Sequence, residues 1–391
     1  MEANWITLIW LLPVCAIISW WLGRQSVRQN TNRSLRDVHP EYFQGLNYVL
    51  NEQPDKAIEV FIKMIEVDSE TVETHLALGN LFRRRGEVDR AIRIHQNLIA
   101  RPTLSREQRA IALLELGIDY MKSGLLDRAE NLFNELIESG LHSMQAYRQL
   151  MDIYVQEKEW DNAIAIARRL EFSSGEKLNT MIAQFYCEKA EILLQDGQEK
   201  DARENLQKAI NVASDCIRSS LIEARLNQDQ GNFKQAVKFY RKVEKQDPEY
   251  VSEIIQPLHK CYQKLGRLDE YQEYLHELVE RHGDINAVIA LAAMIAKQDG
   301  EAAAEKFMIT QMEKKPTVRG VDQLLKYALL QSGGVVRDSL NSINRFTTSL
   351  LKNRNTYKCH FCGFSAKTLH WQCPGCKKWN TSKPVQGLAG E

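Results

Sequence analysis

Residues 117–133 read GIDYMKSGLLDRAENLF, and this order of small and aromatic residues recurs along most of the chain. Six alanines follow one another at intervals of 34, 38, 34, 39 and 34 residues: Ala57, Ala91, Ala129, Ala163, Ala202 and Ala236. A glycine precedes each of the first three, and an aromatic residue follows that glycine three positions later: Gly45 with Tyr48, Gly79 with Phe82, and Gly117 with Tyr120. A period of about 34 residues predicts repeated pairs of antiparallel helices.

The pattern resembles the tetratricopeptide repeat, so we predict an all-α tetratricopeptide-repeat solenoid over residues 38–351, with about eight or nine helix pairs. We expect each glycine to face the alanine of the next helix, because two helices approach closely only where a side chain is nearly absent. Aspartates two residues before the first four alanines are expected to cap the second helices: Asp55, Asp89, Asp127 and Asp161. Beyond residue 286 the helical spacing continues, but the repeat signature fades.

Composition and motifs limit the functional classes. The chain of 391 residues carries 51 basic and 51 acidic side chains, so its formal net charge is zero. Nucleic-acid-binding domains need a concentrated basic surface, and the mixed charges argue against such a partner. The sequence contains no glycine-rich phosphate loop, no His-Glu-x-x-His and no Gly-x-Ser-x-Gly. We therefore expect a protein that is not an enzyme and that acts by binding other proteins.

Successive first helices of such an array line a groove that can hold a peptide or a partner helix. Candidates for contact with a partner lie on predicted first helices: Asn80, Arg83, Tyr147 and Arg148. Histidines in the array, including His95, are interpreted as surface or packed residues. The cysteines of the array are interpreted as lone core residues: Cys187, Cys216 and Cys261.

The N-terminal segment Trp5–Leu22 reads WITLIWLLPVCAIISWWL and contains no charged residue. Eighteen helical residues extend for about 27 Å, enough to cross the hydrocarbon core, and tryptophans at both ends suit the two membrane–water interfaces. A cleaved signal peptide would need basic residues before the apolar run and small residues at a cleavage site, and the sequence has neither. We predict a retained transmembrane anchor over residues 1–23.

Basic residues follow the apolar run, and none precedes it: Arg24, Arg28, Arg33 and Arg36. By the positive-inside rule, the N-terminus lies outside the membrane and everything after Arg24 lies in the cytoplasm. Residues 24–37 are polar and are predicted to form a juxtamembrane linker.

Near the C-terminus, two Cys-x-x-Cys pairs are separated by ten residues. Two such pairs supply four thiolates, which suit one tetrahedral metal ion. Residues 355–391 are too few to fold on an apolar core alone, so bound metal would provide much of their stability. We predict a small metal-binding knuckle domain whose ligands are Cys359, Cys362, Cys373 and Cys376.

Four thiolates bind either zinc or iron. The paired cysteine turns resemble those of rubredoxin, which binds iron, except that Lys377 stands where rubredoxin has glycine. If that position needs a positive φ, lysine there costs on the order of 1 kcal/mol. Aromatic residues near the cysteines are predicted to shield the metal: Tyr357, Phe361, Trp371 and Trp379.

Three features stand in one order: an N-terminal WITLIW…ISWWLGR, the repeats, and a C-terminal CHFCGF…WQCPGCKKW…KPVQGL. This combination resembles the lipopolysaccharide assembly protein B family of Gram-negative bacteria over essentially the whole chain. By this resemblance the four tail cysteines correspond to rubredoxin-type metal ligands, with iron as the expected metal and zinc as the alternative. The resemblance implies a single-pass protein of the cell inner membrane, with a periplasmic N-terminus and the bulk of the chain in the cytoplasm.

The resemblance further implies a non-catalytic adaptor that regulates lipopolysaccharide biosynthesis. The implied partners are the membrane-bound ATP-dependent protease FtsH, the deacetylase that commits precursors to lipid A, and other inner-membrane lipopolysaccharide proteins. A second copy of the chain stays open as a further partner, in a homodimer. Two alternative functions also stay open: a passive scaffold for lipopolysaccharide assembly enzymes, and a membrane-tethered rubredoxin-like electron-transfer protein.

Overall fold

The computed structural model describes residues 40–67, 72–331, 333–352 and 354–386 of the chain. The predicted transmembrane anchor (1–23) and juxtamembrane linker (24–37) lie outside the described residues. Within the described ranges, no helix is both long and apolar enough to cross a membrane.

Helices dominate the described chain as far as Lys352, and they follow one another as nine consecutive pairs. The all-α repeat array predicted for this region is therefore confirmed. Its helices are α1 Pro40–Leu50, α2 Pro54–Val67, α3 Val72–Arg84, α4 Val88–Ile99, α5 Arg106–Ser123, α6 Leu126–Ser139, α7 Ser143–Glu157, α8 Trp160–Ser174, α9 Asn179–Gln195, α10 Glu199–Val212, α11 Ile217–Asp229, α12 Phe233–Gln246, α13 Val251–Leu265, α14 Leu268–His282, α15 Ile285–Asp299, α16 Glu301–Lys314, α17 Val318–Gln331 and α18 Gly334–Lys352. Three short strands follow: β1 Tyr357–Cys359, β2 Ser365–Ala366 and β3 Ser382–Pro384.

The chain divides into two compact units, of which the first ends at Ile153 and the second begins at Tyr154. In the first unit, α1 to α6 pack successively against one another. In the second unit, α9 to α18 do the same, and one large apolar core runs from α11 to α17. The strands belong to the second unit.

The six repeated alanines lie in second helices and are fully buried. The atoms nearest to the three repeated glycines belong to rings four residues after those alanines. A Cβ added to Gly117 would lie 2.5 Å from the ring of Phe133, which comes four residues after Ala129. A Cβ added to Gly45 would likewise lie 2.5 Å from the ring of Phe61, and a Cβ added to Gly79 would overlap the ring of His95. The missing side chain of each glycine therefore makes room for a ring, and the glycine–alanine contact stays a prediction.

The helix starts also differ from the prediction. Helices α4, α6 and α8 begin after Glu87, Leu125 and Glu159, whose side chains make no capping hydrogen bond in this part of the described chain. The repeated aspartates lie instead in the first turn, where a negative charge still favours the positive end of the helix dipole. Gly124 ends α5 in the left-handed conformation with φ 78°.

The ring opposite Gly79 belongs to a histidine, and it forms a buried polar network in the first unit. His95 is fully buried, and its Nδ1 lies 2.6 Å from a carboxylate oxygen of Asp119, which is buried as well. The Arg83 guanidinium donates to the other carboxylate oxygen at 2.9 Å and to Glu115 at 2.6 Å. His95 is thus a packed residue that connects α4 to α5, and Arg83 connects α3 to the same carboxylate.

Replacing Gly117 by valine should destabilise the protein by about 2 kcal/mol, because the new side chain would overlap the Phe133 ring and the packed repeats give way only partly. Chemical denaturation measures this free energy of unfolding. The matched control is Gly333→Val, since a Cβ at Gly333 meets no atom within 4 Å. Equal losses in the two variants would contradict the proposed glycine–ring packing.

Candidate metal centre and its contact with the repeats

The C-terminal knuckle domain is a three-stranded antiparallel sheet with the strand order β2-β1-β3. Cys359 ends β1, and its amide donates to the carbonyl of Phe364 at 2.7 Å across the first cysteine turn. The second cysteine turn lies between β2 and β3, where the residues flanking it, Gln372 and Trp379, form a bridge. Each Cys-x-x-Cys pair therefore lies in a turn whose ends are fixed by backbone pairing.

The four predicted cysteines come together in space. Their sulfur atoms all lie within 4.8 Å of one another. The Sγ atoms of Cys359 and Cys376 are 3.8 Å apart, and those of Cys362 and Cys373 are 3.6 Å apart. A tetrahedral ion with metal–sulfur bonds of about 2.3 Å needs sulfurs separated by about 3.8 Å. The sulfur positions therefore fit one four-coordinate metal ion held by four thiolates.

The electrostatics of the four sulfurs favour a cation among them. Burial opposes ionisation of Cys359, but hydrogen bonds from Thr381 and from the amides of Cys362 and Phe361 lower its pKa to about 6. The Phe364 amide favours the Cys362 thiolate, whereas partial desolvation and the other sulfurs raise the pKa of Cys362 to about 12. Four bare thiolates this close repel one another, so a metal ion is what allows all four to ionise together.

The two cysteine turns have the same backbone geometry. The amide of Gly363 donates to the carbonyl of Cys359 at 2.9 Å, and the amide of Lys377 donates to that of Cys373 at 2.8 Å. Gly363 has φ 79°, and Lys377 has φ 60°. Lys377 therefore occupies a left-handed position that favours glycine, as the comparison with rubredoxin predicted.

The metal centre reaches the surface on one side. Cys359 and Cys373 are buried, Cys376 is half-buried, and Cys362 is exposed. Phe361, next to the exposed sulfur, is itself exposed, and the Lys378 ammonium lies 3.4 Å from the centre of its ring. Phe361 therefore does not shield the metal site from solvent. The sequence analysis predicts that it does, so this prediction is wrong.

The other three predicted shielding residues attach the knuckle to the repeats. Trp371 stacks on Tyr250, with ring centres 5.9 Å apart and planes at 10°, and the buried Arg218 guanidinium lies 5.7 Å from the Trp371 ring. Trp379 meets Phe185 and Trp160 edge to face, at 5.6 Å and 6.4 Å between ring centres. Both tryptophans thus cover buried aromatic or cationic side chains of the array.

Polar contacts surround these rings. The Tyr357 hydroxyl donates to Glu253 at 2.6 Å, and the Tyr250 hydroxyl donates to the carbonyl of Ser382 at 2.9 Å. Burial, followed by the carboxylates near it, raises the pKa of Tyr250, so this hydroxyl keeps its proton. Lys383 lies 2.8 Å from Asp247 and 2.6 Å from Glu249. We call this contact between the repeats and the knuckle the knuckle seat. On the side of the repeats it consists of Trp160, Phe185, Arg218 and residues 247–253.

The sequence predicts the metal ligands but not the knuckle seat. Tyr250 and Ser382 are 132 positions apart, and no local spacing connects them. The one signal available is compositional: residues 354–386 contain two tryptophans and no acidic residue, whereas residues 247–253 carry three carboxylates. That complementarity could have suggested the polar part of the contact.

The other predicted residues are placed as follows. Arg83 and Asn80, proposed as partner contacts, hydrogen-bond to each other, and Arg83 belongs to the Asp119 network. Tyr147 is half-buried and Arg148 is exposed. Cys187 and Cys216 are not lone residues, since their Sγ atoms lie 3.7 Å apart in the core. Burial and the hydrogen bond with Cys216 raise the pKa of Cys187, so it remains a neutral core thiol.

Known families match both parts of the chain. The rubredoxin metal binding domain matches residues 357–384, and tetratricopeptide repeats match residues 74–110, 114–176, 183–216 and 218–250. The lipopolysaccharide assembly protein B of Escherichia coli K12 is 39% identical over 97% of this chain and 98% of its own length. This chain belongs to the lipopolysaccharide assembly protein B family.

A second relative supports the same assignment. The lipopolysaccharide assembly protein B of Haemophilus influenzae is 35% identical over 96% of this chain and 97% of its own length. The match to both relatives therefore spans the repeats and the four-cysteine knuckle of this chain together.

Replacing Lys377 by glycine should stabilise the metal-loaded knuckle by about 0.5–1 kcal/mol, because glycine removes the Cβ strain of the left-handed conformation. The rate at which a chelator removes the metal should fall accordingly. Lys367→Gly is the control, since Lys367 is not among the residues with positive φ. That change should destabilise through unfolded-state entropy. Faster metal loss from the Lys377 variant would show that its φ carries no strain.

Proposed function

We propose that this chain is a non-catalytic adaptor that regulates lipopolysaccharide biosynthesis. The observation that carries the proposal is the match to lipopolysaccharide assembly protein B relatives over 97% of the chain, which includes both the repeats and the knuckle. A repeat array suits this role physically, because stacked helix pairs present a large surface for other proteins and need no reacting groups.

The adaptor acts by holding its client next to a protease. In this proposal the array binds the deacetylase that commits precursors to lipid A and presents it to the membrane protease FtsH. The apolar segment Trp5–Leu22 anchors the chain in the cell inner membrane, with the repeats in the cytoplasm. Confinement near the bilayer raises the effective concentration of the array toward membrane partners without any new contact.

The knuckle seat bears on where a client binds. In the second unit, the knuckle covers parts of α9, α11 and α13, which are the first helices of their pairs. First helices of such arrays provide the usual peptide groove. The client therefore binds elsewhere on the repeats, or on the outer surface of the knuckle.

The metal has a structural role in this proposal. When bound, it closes four thiolates into one tetrahedral unit and so fixes the two cysteine turns, the second of which is flanked by Trp371 and Trp379. Iron follows from the family resemblance, and zinc serves the same purpose. One observation favours the alternative of electron transfer: the Cys362 sulfur is exposed, and a redox partner could approach it there.

The adaptor proposal predicts the lifetime of the deacetylase in cells. Depletion of this protein should lengthen the half-life of the deacetylase several-fold, because the protease loses the protein that delivers its client. A pulse-chase measurement with and without the protein tests this. An unchanged half-life would contradict the adaptor and leave the passive scaffold.

Two variants refine that measurement. The double change Cys359→Ser and Cys362→Ser removes two ligands and should lengthen the half-life as depletion does. Cys187→Ser, a conservative change of a core thiol outside the knuckle, is the matched control and should not. A zinc-loaded protein that has no visible chromophore and restores rapid turnover would exclude electron transfer as the function.

A further inference from the structure

The last helix of the array, α18, has an unusual distribution of side chains. Not one of its residues from Gly334 to Lys352 is buried, although the helix is strongly amphipathic. Val335 is 83% exposed and Phe346 is 70% exposed, and three more apolar side chains are exposed with them: Val336, Ile343 and Leu350. Terminal helices of repeat arrays normally present a polar outer face, because nothing stacks on them.

The inner side of α18 is held by polar contacts instead. The hydroxyls of Thr347 and Thr348 donate to one carboxylate oxygen of Asp322 in α17, at 2.8 Å and 2.9 Å. Lys326 pairs with the other oxygen at 2.8 Å. The inner side of the helix also carries the half-buried Leu340 and Leu351, whereas five further apolar side chains face outward and are exposed.

The exposed apolar residues share one side of the helix. At 100° per residue they fall within an arc of about 100° from Val335 to Val336, centred near Leu350. The charged residues of α18 lie outside this arc: Arg337, Asp338, Arg345 and Lys352. On the side of the arc away from α17, the border is formed by Ser342 and Ser349.

We propose that this apolar face of α18 joins two copies of the chain in an antiparallel homodimer, with the two helices crossing near Ile343. From their exposed fractions, the five residues expose roughly 600 Å² per copy, about three quarters of the roughly 800 Å² per partner in a standard protein interface. A surface patch of this size on a monomer is at the upper end of what is usual.

The order of the residues is self-complementary. A two-fold axis at Ile343, the middle residue of α18, places Val336 of one copy opposite Leu350 of the other, and the reverse. Ser339 lies within the strip, and Ser342 borders it, so two helices can approach closely there. Arg345 and Lys352 remain on the far side, where like charges of the two copies do not meet.

A second copy fits this face better than a lipid surface does. Helices that lie on anionic bilayers carry Lys and Arg along the borders of the apolar strip, where the charges reach the headgroups. Here the open border carries Ser342 and Ser349, and Arg345 lies about 80° beyond Val335 around the helix. The dimer proposal does not depend on the adaptor function, and neither result decides the other.

The mass of the full-length protein in detergent, measured by light scattering and corrected for detergent, tests the proposal. The unmodified chain should be a dimer. Phe346→Glu should raise the dissociation constant of the dimer at least tenfold, because it places a charge at the centre of an apolar interface. An effect of this size is about that of losing an anchoring aromatic residue. Phe172→Glu is the matched control, since Phe172 is 92% exposed on α8 and should leave the dimer intact. A monomeric unmodified chain, or equal dissociation of both variants, would overturn the proposal.

A cross-linking experiment locates the axis. Ile343→Cys should give a covalent dimer with a short bis-maleimide, because the residue lies opposite its own copy. Arg345→Cys, on the far side of the same helix, should react only at the background level of the unmodified chain. Cross-linking of both at equal yield, or of neither, would contradict the antiparallel α18 pair. A monomeric chain in which phosphatidylglycerol vesicles, but not phosphatidylcholine vesicles, suppress labelling of Ile343→Cys by a water-soluble maleimide would assign the face to lipid instead.

Discussion

The distance between four sulfur atoms is the constraint on which the C-terminal part of the molecule depends. Separations of 3.6 Å and 3.8 Å are those of a tetrahedral thiolate site and are too short for four free anions. About thirty residues with three very short strands cannot bury enough apolar surface to hold this geometry alone. Metal binding and folding of the knuckle are therefore one process, and the second cysteine turn, which Trp371 and Trp379 flank, forms with it.

The knuckle seat extends the effect of the metal into the repeats. Trp379 covers Phe185 and Trp160, and Trp371 covers Tyr250 and Arg218; each aromatic pair adds about 0.5–1.5 kcal/mol beyond the area that it buries. Trp160, Phe185 and Arg218 lie on helices of three successive pairs, and Tyr250 directly precedes the first helix of the next pair. The knuckle therefore connects repeats that otherwise contact only their neighbours. A local ligand set thus stabilises a long stretch of an otherwise one-dimensional structure.

Much of this structure follows from spacing along the chain, and the remainder depends on contacts between distant residues. The period of the alanines predicts the helix pairs, because close packing within each pair requires a small residue at each of these positions. The two Cys-x-x-Cys pairs likewise predict the ligand set. Sequence spacing cannot show that the ring of Phe133 fills the space beside Gly117, because Ala129 lies on the same following helix. Nor can it show that Trp371 meets Tyr250, or that α18 directs Phe346 outward, since its apolar period is the same for either face.

The central claim is that metal binding in the knuckle stabilises the repeats beneath it. Hydrogen exchange of the full-length protein before and after removal of the metal tests it most directly. The account predicts loss of protection in the knuckle together with α9 and α13, while α3 to α6 of the first unit keep theirs. Loss of protection confined to residues 354–386, with α9 and α13 unchanged, would contradict it.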